Sequence, residues 1–256
     1  MYADFLLSVI FALAIELKRP IMSSLSMVVA RYREDVTWIK DFMDLYPNLR
    51  VYLYLKGPEL TEFERASLPD SVVVRHLPNV GRCDHTFLYH IITEYDCLTD
   101  VTVFASGAGS DTRKGPKISR VTRIAAETGD TVFMGLLTND VAQDHGAFQL
   151  DAYISSNEVN RKGEGGLSYI QPSPLRPFGA WYASQFPNLI NVPIRVICWM
   201  SIFAVHRRHV RQHVIQWYKE LEEQIATHSS PEIGHYIERS WAAIFWPYPA
   251  SCVYSA

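Results

Sequence analysis

The sequence predicts an α/β protein: a mixed, mainly parallel sheet flanked by helices. Short β-rich apolar runs alternate with helical stretches through the first half of the chain, the pattern of strands joined by crossover helices. Loops bearing glycine, proline or charge close these runs, as at Lys56-Gly57-Pro58. The chain has 256 residues, 48% of them hydrophobic, enough to bury one large core.

The elements follow in order. Phe5 to Ile15 is an apolar helix, shorter than the ~20 residues of a membrane span and without the basic start of a signal peptide. It is expected to dock on the domain or to associate weakly with a membrane surface through residues 5–15. Residues 1–22 are therefore read as an apolar helix and linker, and 23–256 as one domain. Met27 to Ala30 reads as a buried strand and Val36 to Leu45 as a helix. In the strand Val51 to Leu55, Tyr52 and Tyr54 alternate with aliphatic residues. Then come a short acidic helix (Thr61 to Ala66), a strand (Ser71 to Arg75), a helix (Thr86 to Tyr95) and a strand (Val101 to Ala105). Ile118 to Thr128 reads as helix and Val132 to Leu136 as strand. Residues 157–193, rich in Gly, Pro and aromatics, read as an irregular lid or loop. Arg195 to Val205 returns to a strand. His206 to Thr227 reads as one amphipathic helix, with Val210, Val214, Trp217, Leu221 and Ile225 at spacings of three and four. Glu232 to Phe245 is the last helix.

Composition narrows the function. The net charge of -3 gives no footprint for nucleic acid. Cys83, Cys97, Cys198 and Cys252 show neither Cys-x-x-Cys nor zinc spacing, which suits a reducing cytoplasm. Cys83 reads as a buried neutral thiol. The 14 Tyr and 6 Trp suit sugar stacking or an aromatic core.

The most telling stretch is Leu77-Pro-Asn-Val-Gly-Arg-Cys-Asp-His85. It sets polar residues between a strand and a helix, where α/β proteins bind ligands. Gly81 permits a tight turn, Arg82 offers a planar fork for a diphosphate, and Asp84 stands where an N-cap is expected. The alternative is an Asn turn with a surface Arg82–Asp84 pair. Arg31-Tyr-Arg-Glu-Asp35 closes the first strand: Arg31 could meet a phosphate and Tyr32 a base, or Glu34 and Asp35 could simply favour the next helix. Ser106-Gly-Ala-Gly-Ser-Asp111 lacks the third glycine of a dinucleotide fingerprint, so a nicotinamide-dependent oxidoreductase is a distant reading. Asp111 is the candidate metal carboxylate there, with Asp100 a more distant second; Arg113, Lys114 and Lys117 could neutralise an anion instead. Glu238 is the first candidate for a catalytic base, or else half of a structural pair with Arg239. Asp140, Asp144 and Asp151 come next. His206, His209 and His213 would share a helix face, but the arginines among them argue for a polar face rather than a metal site.

Five blocks carry a resemblance: Val28-Val-Ala-Arg-Tyr-Arg-Glu-Asp35, Leu77 to Arg82, Thr86-Phe-Leu-Tyr-His-Ile-Ile92, Tyr95-Asp-Cys-Leu-Thr-Asp-Val-Thr-Val-Phe104 and Glu238-Arg-Ser-Trp-Ala-Ala-Ile-Phe245. Together they resemble an uncharacterised-domain family of fungi, algae and large algal DNA viruses. That family looks like a divergent branch of the GT-A nucleotide-diphospho-sugar transferases, and the motif order is also similar to that of rhamnan and capsular glycosyltransferases. The resemblance covers residues 27–246. Ala105-Ser106-Gly107 stands where relatives carry Gln-Gly or His-Gly, Ala242 where they carry His, and no Asp-x-Asp follows Phe104.

The resemblance implies a GT-A-like fold and a glycosyltransferase using a UDP-sugar, with xylose as the guess from the viral branch. The acceptor would be a glycan, such as a viral capsid-protein N-glycan. The implied donor pocket takes in Ala30, Arg31, Tyr32, Glu34, Lys56, Asn79, Gly81, Arg82, Asp84, His85, Ser106 and Gly107. Trp181, Tyr182 and His235 would face the acceptor. Mn²⁺ or Mg²⁺ at Asp111 is left open by the missing Asp-x-Asp. The same gap keeps alive a non-catalytic nucleotide- or glycan-binding protein on this fold.

Overall fold

The computed structural model describes residues 23–135, 145–153, 168–189 and 195–255. In chain order its strands and α-helices are β1 (Leu25–Arg31), α1 (Trp38–Leu45), β2 (Arg50–Leu55), α2 (Glu62–Ser67), β3 (Val73–His76), α3 (Arg82–Thr93), β4 (Val101–Ser106), α4 (Lys114–Thr128), β5 (Phe133–Met134), β6 (Ala152–Tyr153), β7 (Ser168–Tyr169), α5 (Phe178–Gln185), β8 (Phe203–His206), α6 (Arg207–Val210), α7 (Ile215–Glu223), α8 (Glu232–Ile244) and β9 (Val253–Tyr254).

The main sheet has the order β3-β2-β1-β4-β8. The first four strands are parallel, and β8 lies antiparallel to β4. Both faces are covered, which is why β1, β2 and β4 read as nearly continuous apolar runs. Val28, Tyr52, Tyr54 and Phe104 face a core shared with α3, α5, α7 and α8. Met27, Val29, Val51, Leu53 and Val103 face a second core with α1 and α4. Leu53 is wholly buried, and its truncation to Ala would cost about 2–5 kcal/mol.

β2 and β3 lie on one side of β1 and β4 on the other. The chain therefore switches direction of travel between β1 and β4, and a crevice opens at their carboxyl ends.

Several expectations are corrected. The helix after the polar loop begins at Arg82 rather than Thr86, so Asp84 lies within its first turn; Gly81 takes the cap position. Arg195 to Val205 is strand only from Phe203, because Met200 (φ 66°) and Ser201 (φ 51°) are left-handed. Val132 to Leu136 is strand at Phe133–Met134, and Leu136 lies outside the described residues. The single helix from His206 to Thr227 is instead α6 and α7, with Val214 extended (ψ 152°) before α7. Hydroxyls make the break tolerable: Tyr218 donates to the Val210 carbonyl at 2.7 Å and Tyr95 to that of His213 at 2.5 Å. His206 caps α6 through Nδ1, His209 meets Thr131 at 2.6 Å, and His213 stacks on Trp217 at 4.1 Å, so the three share no helix face. Among the described residues no helix is long and apolar enough to cross a membrane. The apolar run 5–15 lies outside them.

Candidate functional site

A cleft of ≈100 Å³ occupies the crevice. Ala30 and Arg31 line it from the end of β1, with Tyr32 and Glu34 just beyond. Lys56 follows β2, and Ser106 closes β4. Asn79, Arg82 and Cys83 come from the polar loop and the start of α3, Lys114 opens α4, and Ser229 arrives from the loop before α8. Eight of these had been singled out from sequence. The sequence favours a buried neutral thiol over a reactive one at Cys83, and reads Lys114 as a possible neutraliser of an anion. Ser229 carried no signal.

The loop is built to bring backbone to the cleft. Gly81 (φ 58°) and Arg82 (φ 54°) are both left-handed. A Cβ on Gly81 would lie 2.6 Å from the His85 Cβ and 2.7 Å from the Ile225 carbonyl, so glycine is required. The Gly81 N–H donates to the His228 carbonyl at 2.8 Å. From beneath, Lys56 Nζ donates to the carbonyls of Val80 and Arg82. Burial, its largest influence, lowers Lys56 to about 8, with Arg82 acting in the same sense and Cys83 and Asp84 opposing. α3 has no side-chain cap, so its N-terminus, with Arg82 and Cys83 on the cleft wall, presents the end of a helix that attracts anions. Ser106 Oγ is buried there without a hydrogen-bond partner among the described residues. Burial first, then Asp84, pushes the Cys83 thiol up to about 12, which makes it a poor nucleophile.

Several residues expected to meet ligand are engaged in holding the walls. Arg31 donates to the carbonyls of Glu34 (2.9 Å) and Pro58 (2.7 Å) and to Glu64 Oε1 (3.0 Å). It is therefore a buried brace, not a free phosphate ligand. Glu34 Oε2 accepts the N–H groups of Tyr32 (2.7 Å) and Arg33 (3.0 Å). Asp111 Oδ1 caps α4 by accepting from Arg113 N (2.9 Å) and Lys114 N (3.1 Å). Burial opposes ionisation of Asp111, but these N–H groups and the nearby cations hold its pKa below the usual value. The Gly107–Gly109 loop makes room for Trp38: its indole N–H donates to the Gly107 carbonyl at 2.9 Å, and a Cβ on Gly109 would fall 2.2 Å from the ring. A Cβ on Gly107 would fall 3.1 Å from the Arg31 Cα, so both glycines have a packing cause apart from any dinucleotide. Among the described residues no group of three or more His, Cys, Asp or Glu is placed to hold a metal.

A second cluster adjoins the cleft behind Arg82. The Arg82 guanidinium lies 4.3 Å from the centre of the Tyr153 ring, and Tyr153 packs on His235 at 4.7 Å. Glu238, one turn along α8, accepts the Met200 N–H at 2.7 Å through Oε1, and its Oε2 lies 3.8 Å from His235 Nδ1. Burial works against the Glu238 carboxylate, yet His235, the Met200 N–H and Arg239 together bring its pKa below the usual value. Asp84 Oδ1 accepts from Ser201 Oγ and Trp241 Nε1, each at 2.8 Å. Burial, then the Glu238 charge, raises Asp84 to about 6. Left-handed backbone at Met200 and Ser201 adjoins both carboxylates, and strain of this kind gathers at functional sites.

Other expected residues lie apart. His85 is buried beneath the loop, 3.5 Å from Glu222, and burial lowers it to about 4. Trp181 and Tyr182, expected as stacking platforms, are only 2% and 8% exposed. Trp181 stacks on Phe178 and donates to Gln224 at 2.9 Å; Tyr182 packs on Phe186. Trp181 nonetheless borders a second cleft of ≈440 Å³, with Gln171, Leu175 and Gln224. Asp140 and Asp144 lie outside the described residues, and Asp151 pairs with Arg176 at 2.9 Å.

Residues 27–256 match the profile of a family described as Protein of unknown function (DUF3431). No curated protein matches the chain.

Proposed function

The chain belongs to the DUF3431 family, and from that premise we propose that it is a GT-A-like glycosyltransferase whose cleft holds the diphosphate of a nucleotide-sugar, with a UDP-sugar as donor and a glycan hydroxyl as acceptor. The observation that carries the reading is the cleft itself. Lys56, Arg82 and Lys114 converge with the uncapped start of α3 and the unpartnered Ser106 hydroxyl at the switch point of a mainly parallel sheet. Cations, helix N–H groups and a free hydroxyl suit a phosphate-bearing anion. A space of ≈100 Å³ suits a diphosphate rather than a whole nucleotide-sugar. The nucleoside and the sugar would then lie along the open rim, with Tyr32 beside the base and the sugar toward Tyr153 and His235.

A divalent metal fits these side chains poorly. Mg²⁺ and Mn²⁺ favour carboxylate and carbonyl oxygens. On the cleft wall Glu34 already accepts two backbone N–H groups and the other charged groups are cations, while Asp111 caps α4 and borders a different cleft, beside Trp38. Stabilisation of the departing diphosphate is therefore assigned to Lys56, Arg82, Lys114 and the α3 N-terminus.

A thermal-shift panel of UDP-, GDP-, CMP- and dTDP-sugars, each with Mn²⁺, Mg²⁺ or EDTA, tests the reading. A ligand at 100 times its Kd stabilises by about 2.7 kcal/mol. The expected result is a shift with UDP-sugars that survives EDTA. No shift with any donor sinks the proposal. Binding without donor turnover favours a non-catalytic nucleotide-binding protein.

A further inference from the structure

We infer that the proton of the acceptor hydroxyl goes to Nε2 of His235, and that Glu238 is the positioning residue that orients this imidazole. The inference rests on the transferase reading and names the base within it. Three observations support it.

The first is an unpartnered atom. His235 is 5% exposed, and its Nε2 is buried without a hydrogen-bond partner among the described residues. A buried polar atom left alone is destabilising, so a group that arrives with a proton to share is favoured there. The second is tautomer control. His235 and Glu238 are one turn apart on the same face of α8, and the carboxylate faces Nδ1. The 3.8 Å separation is longer than a hydrogen bond, but a carboxylate on that side still favours the proton on Nδ1 and leaves the lone pair on Nε2. The backbone N–H of Met200 holds Oε1 of Glu238 in turn, leaving Oε2 turned toward the imidazole. The third is place. His235 packs on Tyr153, and Tyr153 on Arg82, which lines the cleft.

The surroundings keep the imidazole neutral. The charged and titratable groups facing His235 are Arg82 from α3, Tyr153 from β6, and Glu238 and Arg239 on its own helix. Burial is the largest influence and lowers its pKa; Arg82 and Arg239 act in the same sense and Glu238 opposes. A neutral imidazole is competent to accept a proton near pH 7. Against the effect of burial, Glu238 is likewise held below its usual value by His235, the Met200 N–H and Arg239, so it stays an anion facing Nδ1.

In the step, the acceptor O–H proton moves to Nε2 as the oxygen lone pair forms a bond to C1 of the sugar. The bond from C1 to the diphosphate oxygen breaks. Its electron pair leaves on the nucleoside diphosphate, which Lys56, Arg82 and Lys114 neutralise.

The test is long-range ¹H–¹⁵N NMR of the histidines from pH 5 to 9, alongside UDP release from UDP-xylose and UDP-glucose with water as acceptor. The wild type is expected to show His235 neutral with its proton on Nδ1, and Glu238→Ala to move the proton toward Nε2. His235→Gln and His235→Asn are expected to keep the donor thermal shift and to lose turnover by about 10²–10⁴-fold. A His235 protonated on Nε2 in the wild type overturns the inference even if the variants fail to fold. Full turnover by a folded His235 variant overturns it while leaving the transferase reading intact. A wild type that binds no donor overturns both.

Discussion

Asp84 in the first turn of α3 accepts the indole N–H of Trp241 in α8 at 2.8 Å, joining the two helices behind the cleft across 157 positions of chain. The Ser201 hydroxyl shares the same oxygen at 2.8 Å. The carboxyl is almost wholly buried, and burial together with the Glu238 charge raises its pKa to about 6 in spite of these bonds.

This shift sets a pH dependence. Unfolded aspartate loses its proton near pH 4, whereas folded Asp84 keeps it to about pH 6. The folded state binds more protons in that window, so Asp84 lowers stability as the pH rises through it, by an amount on the order of 2–3 kcal/mol. Asp84→Asn keeps an acceptor oxygen and does not titrate. In urea titrations its stability relative to wild type should climb from pH 4 to 6 and then level. A difference independent of pH would mean that Asp84 titrates alike in the folded and unfolded chain.

Gly109→Ala tests the packing of the loop that follows β4. Its Cβ would fall 2.2 Å from the Trp38 ring, and overpacking of this kind costs about 1–3 kcal/mol. The melting temperature should fall accordingly. An unchanged melting temperature would show that Trp38 can move aside freely.

Arg31 and Lys114 both line the cleft, yet their replacement should have different effects. Arg31→Met strands Glu64 and should lower stability by about 3–5 kcal/mol, read by chemical denaturation. Lys114→Ala breaks no hydrogen bond or ion pair of the Lys114 side chain seen among the described residues. It should leave stability nearly unchanged while weakening UDP binding about tenfold, a loss of ~1.4 kcal/mol in calorimetry. Equal affinity of wild type and Lys114→Ala for UDP would remove Lys114 from the site.

Lys56 couples binding to protons. Its pKa in the cleft is about 8, and an anion beside it favours the charged form and raises that value. At pH 8–9 UDP binding should therefore take up protons, and affinity should fall as the pH climbs past 8. Calorimetry in two buffers of different ionisation enthalpy reads this uptake directly. Lys56→Met should abolish it; uptake that persists would assign the proton to another group.

The sheet was legible because buried parallel strands leave uninterrupted apolar runs; Ala30, Lys56 and Ser106, named through the family resemblance, stand at the ends of those runs or just after them. Asn79 and Arg82 were found because polar residues between a strand and a helix have no core to fill. Roles set by distant partners were not legible. Arg31 looked like a free guanidinium because Glu64 stands 33 positions away, and Asp84 looked like a cap because its partners lie in the last third of the chain. Trp181 and Tyr182 showed aromatic content but not burial. The break within His206 to Thr227 depends on hydroxyls from Tyr95 and Tyr218, one of them in another element, so the apolar spacing alone read as one helix.

The Gly81 N–H that meets the His228 carbonyl has a consequence for the order in which the chain matures. During synthesis the four parallel strands leave the ribosome long before residues 225–229, against which the Gly81 turn is seated and which bring Ser229 to the cleft. A nascent chain halted near residue 200 can lay down β1 to β4 but has no backing for that turn. On the proposed reading, anion affinity would be the last property the molecule acquires, and its appearance would report that the carboxyl-terminal third has closed over the sheet.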